Sequence, residues 1–261
     1  MKVKLTLQTF TIRKYLKTVK SAEDALARVK ELGIDGLELA RVKFSPGYIH
    51  AISRICRDLD LKVVSTQMKL KEIASDLDWT IRMHNQLGCS NCVVSVISFK
   101  HLKAGEEGLK AYAEKLNGIG RRLKEEGISL LFHHHNYEFL PIGNNCGFDI
   151  LKNGFNPEYV GLVLDTYWLQ RSGLNPPAVI RENRGLVKGV HLRDFKLKSP
   201  ISSPKITDAA LGDGNLDFQE ILSACSESRV EYTAIEQDTK SPFKSIALSL
   251  CHLEECNRSI S

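Results

Sequence analysis

The chain has 261 residues, of which 43 % are hydrophobic and 26 % are charged. This composition is typical of a globular protein and excludes the disordered and fibrous classes, and no apolar run approaches the length of a membrane-spanning helix. The net charge of +5 is small for a chain of this length, and it contains no run of five like charges. We therefore expect neither a nucleic-acid partner nor a membrane partner.

The seven cysteines are irregularly spaced along the chain. An odd number without a framework pattern indicates reduced thiols. Cys89 and Cys92 have the spacing of zinc and redox sites, but no second such pair follows and an apolar run begins at once. We predict two small buried side chains at the entrance of a strand. Because the N-terminus lacks the apolar region of a signal peptide, we expect a cytoplasmic protein.

Short apolar runs alternate with longer amphipathic stretches along the whole chain. The apolar runs are four to eight residues long with little polar alternation, which is typical of parallel strands buried on both faces. The predicted strands are Val3–Phe10, Gly36–Ala40, Leu61–Gln67, Asn91–Ile97, Ile128–His133, Gly161–Asp165, Val187–His191 and Tyr232–Glu236. The predicted helices are Ser21–Gly33, Tyr48–Leu59, Ile73–Leu87, Gly105–Glu126, Asn175–Arg184, Phe218–Ser226 and Pro242–Cys256, with a turn or two at Phe148–Asn153.

Eight strands over this length leave about 33 residues for each unit, the size of one strand–helix repeat. The spacing predicts an α/β protein with a single (β/α)8 TIM barrel that takes up residues 1–261. The alternative, an open doubly wound sheet, usually has a glycine-rich loop after its first strand, and Gln8–Thr11 contains no glycine. The longest irregular segment, residues 192–216, is predicted to be an active-site loop.

Polar side chains mark the ends of several predicted strands, where the active site of a barrel lies. Four consecutive strands end in residues that can bind a metal ion, namely His133, Asp165, His191 and Glu236. Taken singly, each has an ordinary structural explanation as a hydrogen-bonded or capping group. Together they predict a site for one divalent metal ion, Mn²⁺, Co²⁺, Zn²⁺ or Mg²⁺, because burying such groups without a cation is costly.

Three histidines end the fifth predicted strand. Because side chains alternate across a strand, His133 and His135 should face the barrel mouth and His134 the helical layer. His133 is the better candidate for a metal ligand, and His135 is better placed to contact a substrate.

Six segments resemble the motifs of one family, the sugar phosphate isomerase/epimerase family of xylose isomerase-like TIM barrels. The segments are Leu7–Arg13, Leu131–Phe139, Leu164–Gln170, His191–Lys196, Leu211–Asp217 and Ile235–Asp238. They span nearly the whole chain in the family's order. The resemblance implies a divalent metal bound by the ends of strands five to eight, on the four residues named above.

The sequence departs from the family pattern at three positions. Ketose 3-epimerases and inosose isomerases carry Glu on the fifth strand where this chain has His133, and they use two glutamates as proton carriers. Only Glu236 remains here, which disfavours a two-base epimerase. Gln67 stands where many members have His, and His134 replaces an Asn.

The predicted function is that of a metal-dependent isomerase or epimerase of a sugar, keto-sugar or polyol derivative. Glu236 or His135 would abstract a proton next to a carbonyl, through a metal-stabilised enediolate. The alternative is a metal-dependent lyase or dehydratase acting on a keto-sugar or keto-inositol, and the second alternative is a non-catalytic sugar-binding protein. A homo-oligomer is compatible with the sequence.

Further residues are predicted to contact the sugar or polyol substrate, namely Glu38, Gln67, Trp168, Arg193 and Lys196. All of them except Gln67 have a structural alternative. Glu38 could form an internal ion pair, Trp168 could pack in the core, and the cationic side chains could lie at the surface. Phe10 is a further candidate for an apolar wall beside a sugar ring.

Overall fold

A computed structural model describes residues 4–199 and 205–260. Val3, the predicted start of the first strand, and residues 200–204 of the predicted active-site loop lie outside the described residues. The strands are β1 (Lys4–Gln8), β2 (Gly36–Ala40), β3 (Lys62–Met68), β4 (Asn91–Val94), β5 (Ser129–His133), β6 (Pro141–Ile142), β7 (Asn145–Cys146), β8 (Val160–Asp165), β9 (Val187–Leu192), β10 (Asp194–Lys198), β11 (Lys205–Ala209) and β12 (Tyr232–Ile235).

Eight of these strands close into a parallel barrel in the order β1-β12-β9-β8-β5-β4-β3-β2. The helices are α1 (Val19–Glu31), α2 (Pro46–Asp58), α3 (Leu70–Ser75), α4 (Leu77–Leu87), α5 (Phe99–Lys103), α6 (Gly105–Lys124), α7 (Gly147–Gly154), α8 (Thr166–Arg171), α9 (Pro176–Glu182), α10 (Phe218–Glu227) and α11 (Pro242–Ile260). The predicted single (β/α)8 barrel is confirmed. None of the helices in the described residues has the length and apolar character that crossing a bilayer requires.

The inside of the barrel is filled by a compact cluster of apolar side chains, Val93, Leu131, Val163, Tyr232 and Ala234. They lie on four different strands and are almost completely buried. Since alternate residues of a strand share a face, the residue two places further along each strand also points inward. This periodicity carries the polar residues at the strand ends into the barrel mouth.

Some element boundaries differ from the predicted ones. The helix predicted to start at Ser21 begins at Val19, because the Thr18 hydroxyl caps it by accepting a hydrogen bond from the Ser21 amide. The predicted helix 73–87 is divided between α3 and α4 at Asp76, whose carboxylate caps α4. The first strand ends at Gln8, and a 3₁₀ helix, Thr9–Tyr15, follows it.

The segment 192–216 is more regular than predicted. Strands β10 and β11 pair as an antiparallel hairpin, with Asp194 opposite Ala209 and Lys198 opposite Lys205. Elsewhere, Cys89 and Cys92 are buried at the start of β4 with free thiols, as predicted. Burial raises the pKa of the Cys89 thiol to about 12, so it stays protonated.

Candidate metal centre

Four side chains from neighbouring barrel strands converge at the mouth. His133 ends β5, Asp165 ends β8, His191 lies near the end of β9, and Glu236 directly follows β12. One ligand atom from each lies within 4.8 Å of the other three. His133, Asp165 and Glu236 follow the inward-facing Leu131, Val163 and Ala234 by two residues, which explains why they point into the barrel.

Three of the atoms that face one another in this cluster lack hydrogen-bond partners. His133 Nε2 lies 3.6 Å from Asp165 Oδ2, and His191 Nδ1 lies 3.1 Å from Glu236 Oε2. Among the described residues, His133 Nε2, Asp165 Oδ2 and His191 Nδ1 have no hydrogen-bond partner. Unpaired buried polar atoms are costly, and a divalent ion would satisfy all three. The mixed nitrogen and oxygen donors therefore fit a metal such as Zn²⁺, Mn²⁺ or Co²⁺.

The charges in the cluster are set by its members together with two neighbours, Arg193 and Glu38. Burial alone would raise the pKa of the Asp165 carboxyl, but His133, Arg193 and His191 together hold it below its usual range. Burial alone would lower the pKa of His191, but Glu38 and Glu236 raise it well above its usual value. Without a metal ion, a protonated His191 thus balances part of the negative charge.

Glu38 lies directly behind His191. Its Oε1 accepts a hydrogen bond from His191 Nε2 at 2.7 Å, and its Oε2 accepts from Ser65 Oγ at 2.6 Å and from the Tyr232 hydroxyl at 2.9 Å. The side chain is completely buried. This bond keeps the proton on Nε2 and leaves Nδ1 facing the cluster. Predicted as a substrate contact, Glu38 instead orients a candidate ligand and is absent from the wall of the cavity described next.

A cavity of about 610 Å³ opens over the cluster. The predicted site residues in its wall are Phe10, Gln67, His133, His135, Trp168, Arg193 and Glu236. Lys196 is not brought there; it lies on the half-exposed hairpin and forms an ion pair with Asp213. The structure therefore gathers most of the predicted substrate contacts around one opening beside the candidate metal ligands.

Glu236 is held in place by Gln8, by Arg193 and, through Arg193, by Asp208; the sequence indicated only Arg193 of these three. Gln8 Nε2 donates a hydrogen bond to Glu236 Oε2 at 2.6 Å. Arg193 Nη1 lies 3.4 Å from Glu236 Oε1, and Asp208 on β11 in turn binds the Arg193 guanidinium at 3.0 Å. Gln8 ends β1, but the first strand was predicted to run to Phe10, so Gln8 did not stand at a predicted strand end. Asp208 gave no signal, because its strand was predicted to be irregular.

The three histidines have different surroundings. The His135 ring lies on the cavity wall, stacked on Tyr137 with centroids 5.0 Å apart. Burial and the nearby His133 lower the pKa of His135 to about 2, so its imidazole is neutral. His134 packs edge-on against Phe148 of α7, and its Nε2 accepts a hydrogen bond from the Asp165 amide at 3.1 Å. His134 thus ties the end of β5 to the end of β8.

Comparison with known proteins identifies the class to which this barrel and site belong. The model of the xylose isomerase-like TIM barrel family matches residues 26–241, and the chain belongs to that family. The sugar phosphate isomerase/epimerase structure from Parabacteroides distasonis ATCC 8503 has a TM-score of 0.78 and 18 % identity, over 97 % of this chain and 94 % of that one.

Of two further relatives, one is described with a bound metal ion and the other is named for a reaction. A xylose isomerase-like TIM barrel protein from Mycobacterium smegmatis, in complex with magnesium, has a TM-score of 0.73 and 13 % identity, covering 97 % of this chain and 96 % of that one. The inosose dehydratase of Clostridium beijerinckii is 28 % identical over 137 residues, which are 48 % of this chain and 45 % of that protein. The chain thus spans about half the length of the curated relatives it matches.

Proposed function

We propose that the protein is a divalent-metal-dependent isomerase or epimerase of a sugar, keto-sugar or polyol derivative. The observation that carries this proposal is the buried cluster of His133, Asp165, His191 and Glu236, which lies beneath an open cavity. Atoms of its two histidines and of Asp165 have no hydrogen-bond partner among the described residues. The magnesium in the Mycobacterium smegmatis relative and the sugar chemistry named for the other relatives support the proposal.

The side chains around the cavity divide the chemistry between them. A divalent ion held by the four ligands would polarise a substrate carbonyl and so acidify the neighbouring C–H bond. Glu236 would take the proton, with its carboxylate oriented by Gln8 and Arg193. The low pKa of His135 makes it a poor proton acceptor, so its neutral ring would instead hydrogen-bond a substrate oxygen. Trp168 would form an apolar wall.

A lyase or dehydratase acting on a keto-sugar or keto-inositol is the second candidate. It is favoured by the similarity to inosose dehydratase and by a cluster in which Glu236 is the only glutamate ligand. Both reactions begin with the same proton abstraction, and they differ in whether water then leaves.

The proposal predicts that the wild-type protein binds about one divalent ion per chain. Asp165→Asn and His191→Ala should each reduce the metal content sharply, because each removes a ligand from a site that is otherwise buried. Mass spectrometry of the purified proteins after incubation with Mn²⁺ measures this. Asp213→Asn is the matched control, since it removes an exposed acidic group that forms an ion pair with Lys196.

The same samples are then incubated with keto-sugars and keto-polyols in D₂O. The wild type and Asp213→Asn should place deuterium on the carbon next to the carbonyl, and the two ligand variants should not. Products that have lost water would identify the dehydratase. Metal binding without exchange would contradict the enzyme and favour the sugar-binding protein. A wild type that takes up neither Mn²⁺, Co²⁺ nor Zn²⁺ would contradict the metal centre.

A further inference from the structure

A second cavity, of about 550 Å³, lies beyond the ends of β1 and β2. It adjoins the cavity of about 610 Å³ over the candidate metal ligands, which we call the metal cavity. Its wall consists of Arg13, Lys14, Leu16, Lys17, Arg41 and Lys43, so five of six lining residues are cationic. We call this cavity the basic groove. Arg41 also lines the metal cavity, so the two spaces share a wall residue.

Most of the positive charge in the basic groove is not neutralised by the protein. Arg13 is an exception, because it forms an ion pair with Asp238 at 2.7 Å and lies over the Phe10 ring. Within residues 4–199 and 205–260, no carboxylate pairs with the other four cations. Such a concentration of unpaired cations beside an open cavity attracts an anion.

The turn that carries Arg41 has an unusual backbone. Arg41 has a φ of 58°, a left-handed conformation that residues other than glycine seldom adopt. The turn is held by Thr9, whose hydroxyl lies 2.7 Å from both the amide nitrogen and the carbonyl oxygen of Ala40. Backbone strain of this kind is concentrated at binding sites, where it fixes the direction of a side chain. Here it places Arg41 between the two cavities.

We propose that the basic groove binds a phosphate monoester on the substrate while the carbonyl end of the same molecule lies over the metal cluster. This assignment rests on the proposed function and narrows its substrate class to phosphorylated sugars or polyols. A phosphate carries close to two negative charges and three acceptor oxygens, which suits several unpaired cations better than a neutral hydroxyl does. The guanidinium of Arg41 can bind such a group in a bidentate manner, through two parallel hydrogen bonds.

Calorimetric titration at low salt, with D-fructose 6-phosphate and D-fructose as paired probes, tests the proposal on the Mn²⁺-loaded protein. The wild type should bind the phosphorylated sugar at least about tenfold more tightly. In the double variant Arg41→Asn/Lys43→Gln this preference should disappear. Asparagine is chosen because it tolerates positive φ, and an unchanged melting temperature checks that the fold is kept.

The matched control is Arg57→Gln/Lys62→Gln, which removes two exposed cations from the opposite end of the barrel. It should keep the preference for the phosphorylated sugar. If both double variants lost the preference for the phosphorylated sugar equally, the effect would be one of overall charge and the proposal would be overturned. So would a wild type that binds the phosphorylated sugar no more tightly than D-fructose, or not at all.

Metal content, measured on the same samples, separates this proposal from the proposed function. Binding of Mn²⁺ without a preference for the phosphorylated sugar overturns the phosphate site alone. A preference in a protein that takes up no metal overturns the metal-dependent enzyme and supports the phosphate site.

Discussion

At the scale of single residues, Glu38 shows how a buried side chain can act on the site without reaching the cavity. It accepts three hydrogen bonds, one of them from His191, and it is the main source of the raised pKa of that histidine after the opposing effect of burial. A carboxylate behind a metal-binding histidine fixes its tautomer and increases its basicity. We therefore regard Glu38 as a positioning residue.

Glu38→Gln should lower the affinity for Mn²⁺ by about 10- to 100-fold, because the amide keeps the shape of the side chain and removes its charge. Calorimetric titration with Mn²⁺ measures the change. Ser65→Ala is the control, since it removes one hydrogen bond to Glu38 and leaves the bond to His191 intact. Equal affinities for the wild type and Glu38→Gln would show that Glu38 serves packing alone.

At the scale of elements, the hairpin of β10 and β11, which follows β9, contacts the site through two side-chain interactions. Asp208 on β11 holds Arg193, which in turn contacts Glu236. The base of the hairpin is organised by Asp194, whose buried carboxylate accepts hydrogen bonds from five backbone amides, those of Phe195, Gly212, Gly214, Asn215 and Leu216. A side chain at Gly214 would collide with this carboxylate, so the close approach requires glycine.

Asp194→Ala should destabilise the protein by about 3 kcal/mol, because it leaves several backbone amides without an acceptor. Asp194→Asn should have a smaller effect, since one oxygen remains. Thermal unfolding measures both, and limited proteolysis should show faster cleavage between residues 205 and 217. Asp213→Asn in the same loop serves as the exposed control and should unfold like the wild type. If Asp194→Ala also unfolded like the wild type, the anchoring role of Asp194 would be refuted.

At the scale of the whole molecule, buried ionisable groups make the stability depend on pH. Glu138 is completely buried; its Oε2 accepts a hydrogen bond from the His135 amide at 2.8 Å, and its Oε1 has no partner among the described residues. Burial raises the pKa of this carboxyl to about 7. Between the ordinary pKa of a glutamate and that value, the folded protein binds more protons than the unfolded chain does.

The contribution of Glu138 to the free energy of unfolding should therefore fall as the pH rises from about 4.5 to 7, by about 3 kcal/mol. Above pH 7 the loss is complete. Denaturant unfolding of the metal-free protein at several pH values measures it, as the difference between the wild type and Glu138→Gln. Because both proteins contain His191 and Asp165, the pH-dependent contributions of those two residues cancel in the difference. Glu114→Gln, at an exposed glutamate, should leave the pH profile unchanged.

The barrel and the convergence of the four candidate metal ligands could be predicted because both depend on short-range patterns. Buried parallel strands are recognisable as unbroken apolar runs, and a closed parallel barrel brings all their carboxyl ends to one mouth. Once eight such runs had been counted, His133, Asp165, His191 and Glu236 had to lie near one another. The direction of each side chain then followed from the alternation along a strand.

Only the tertiary structure decided what surrounds those ligands. Glu38 and Lys196 were predicted to lie beside the candidate ligands, yet Glu38 lies behind His191 and Lys196 lies on an outer hairpin. The contacts of Glu236 with Gln8 and of Thr9 with Ala40 join residues that are distant in sequence. Such contacts depend on how side chains pack once the barrel has closed, and no local pattern encodes them. The sequence by itself therefore determined the family, the barrel and the convergence of the four candidate ligands, whereas the closed barrel decided which neighbours orient them and where a basic groove adjoins the cavity.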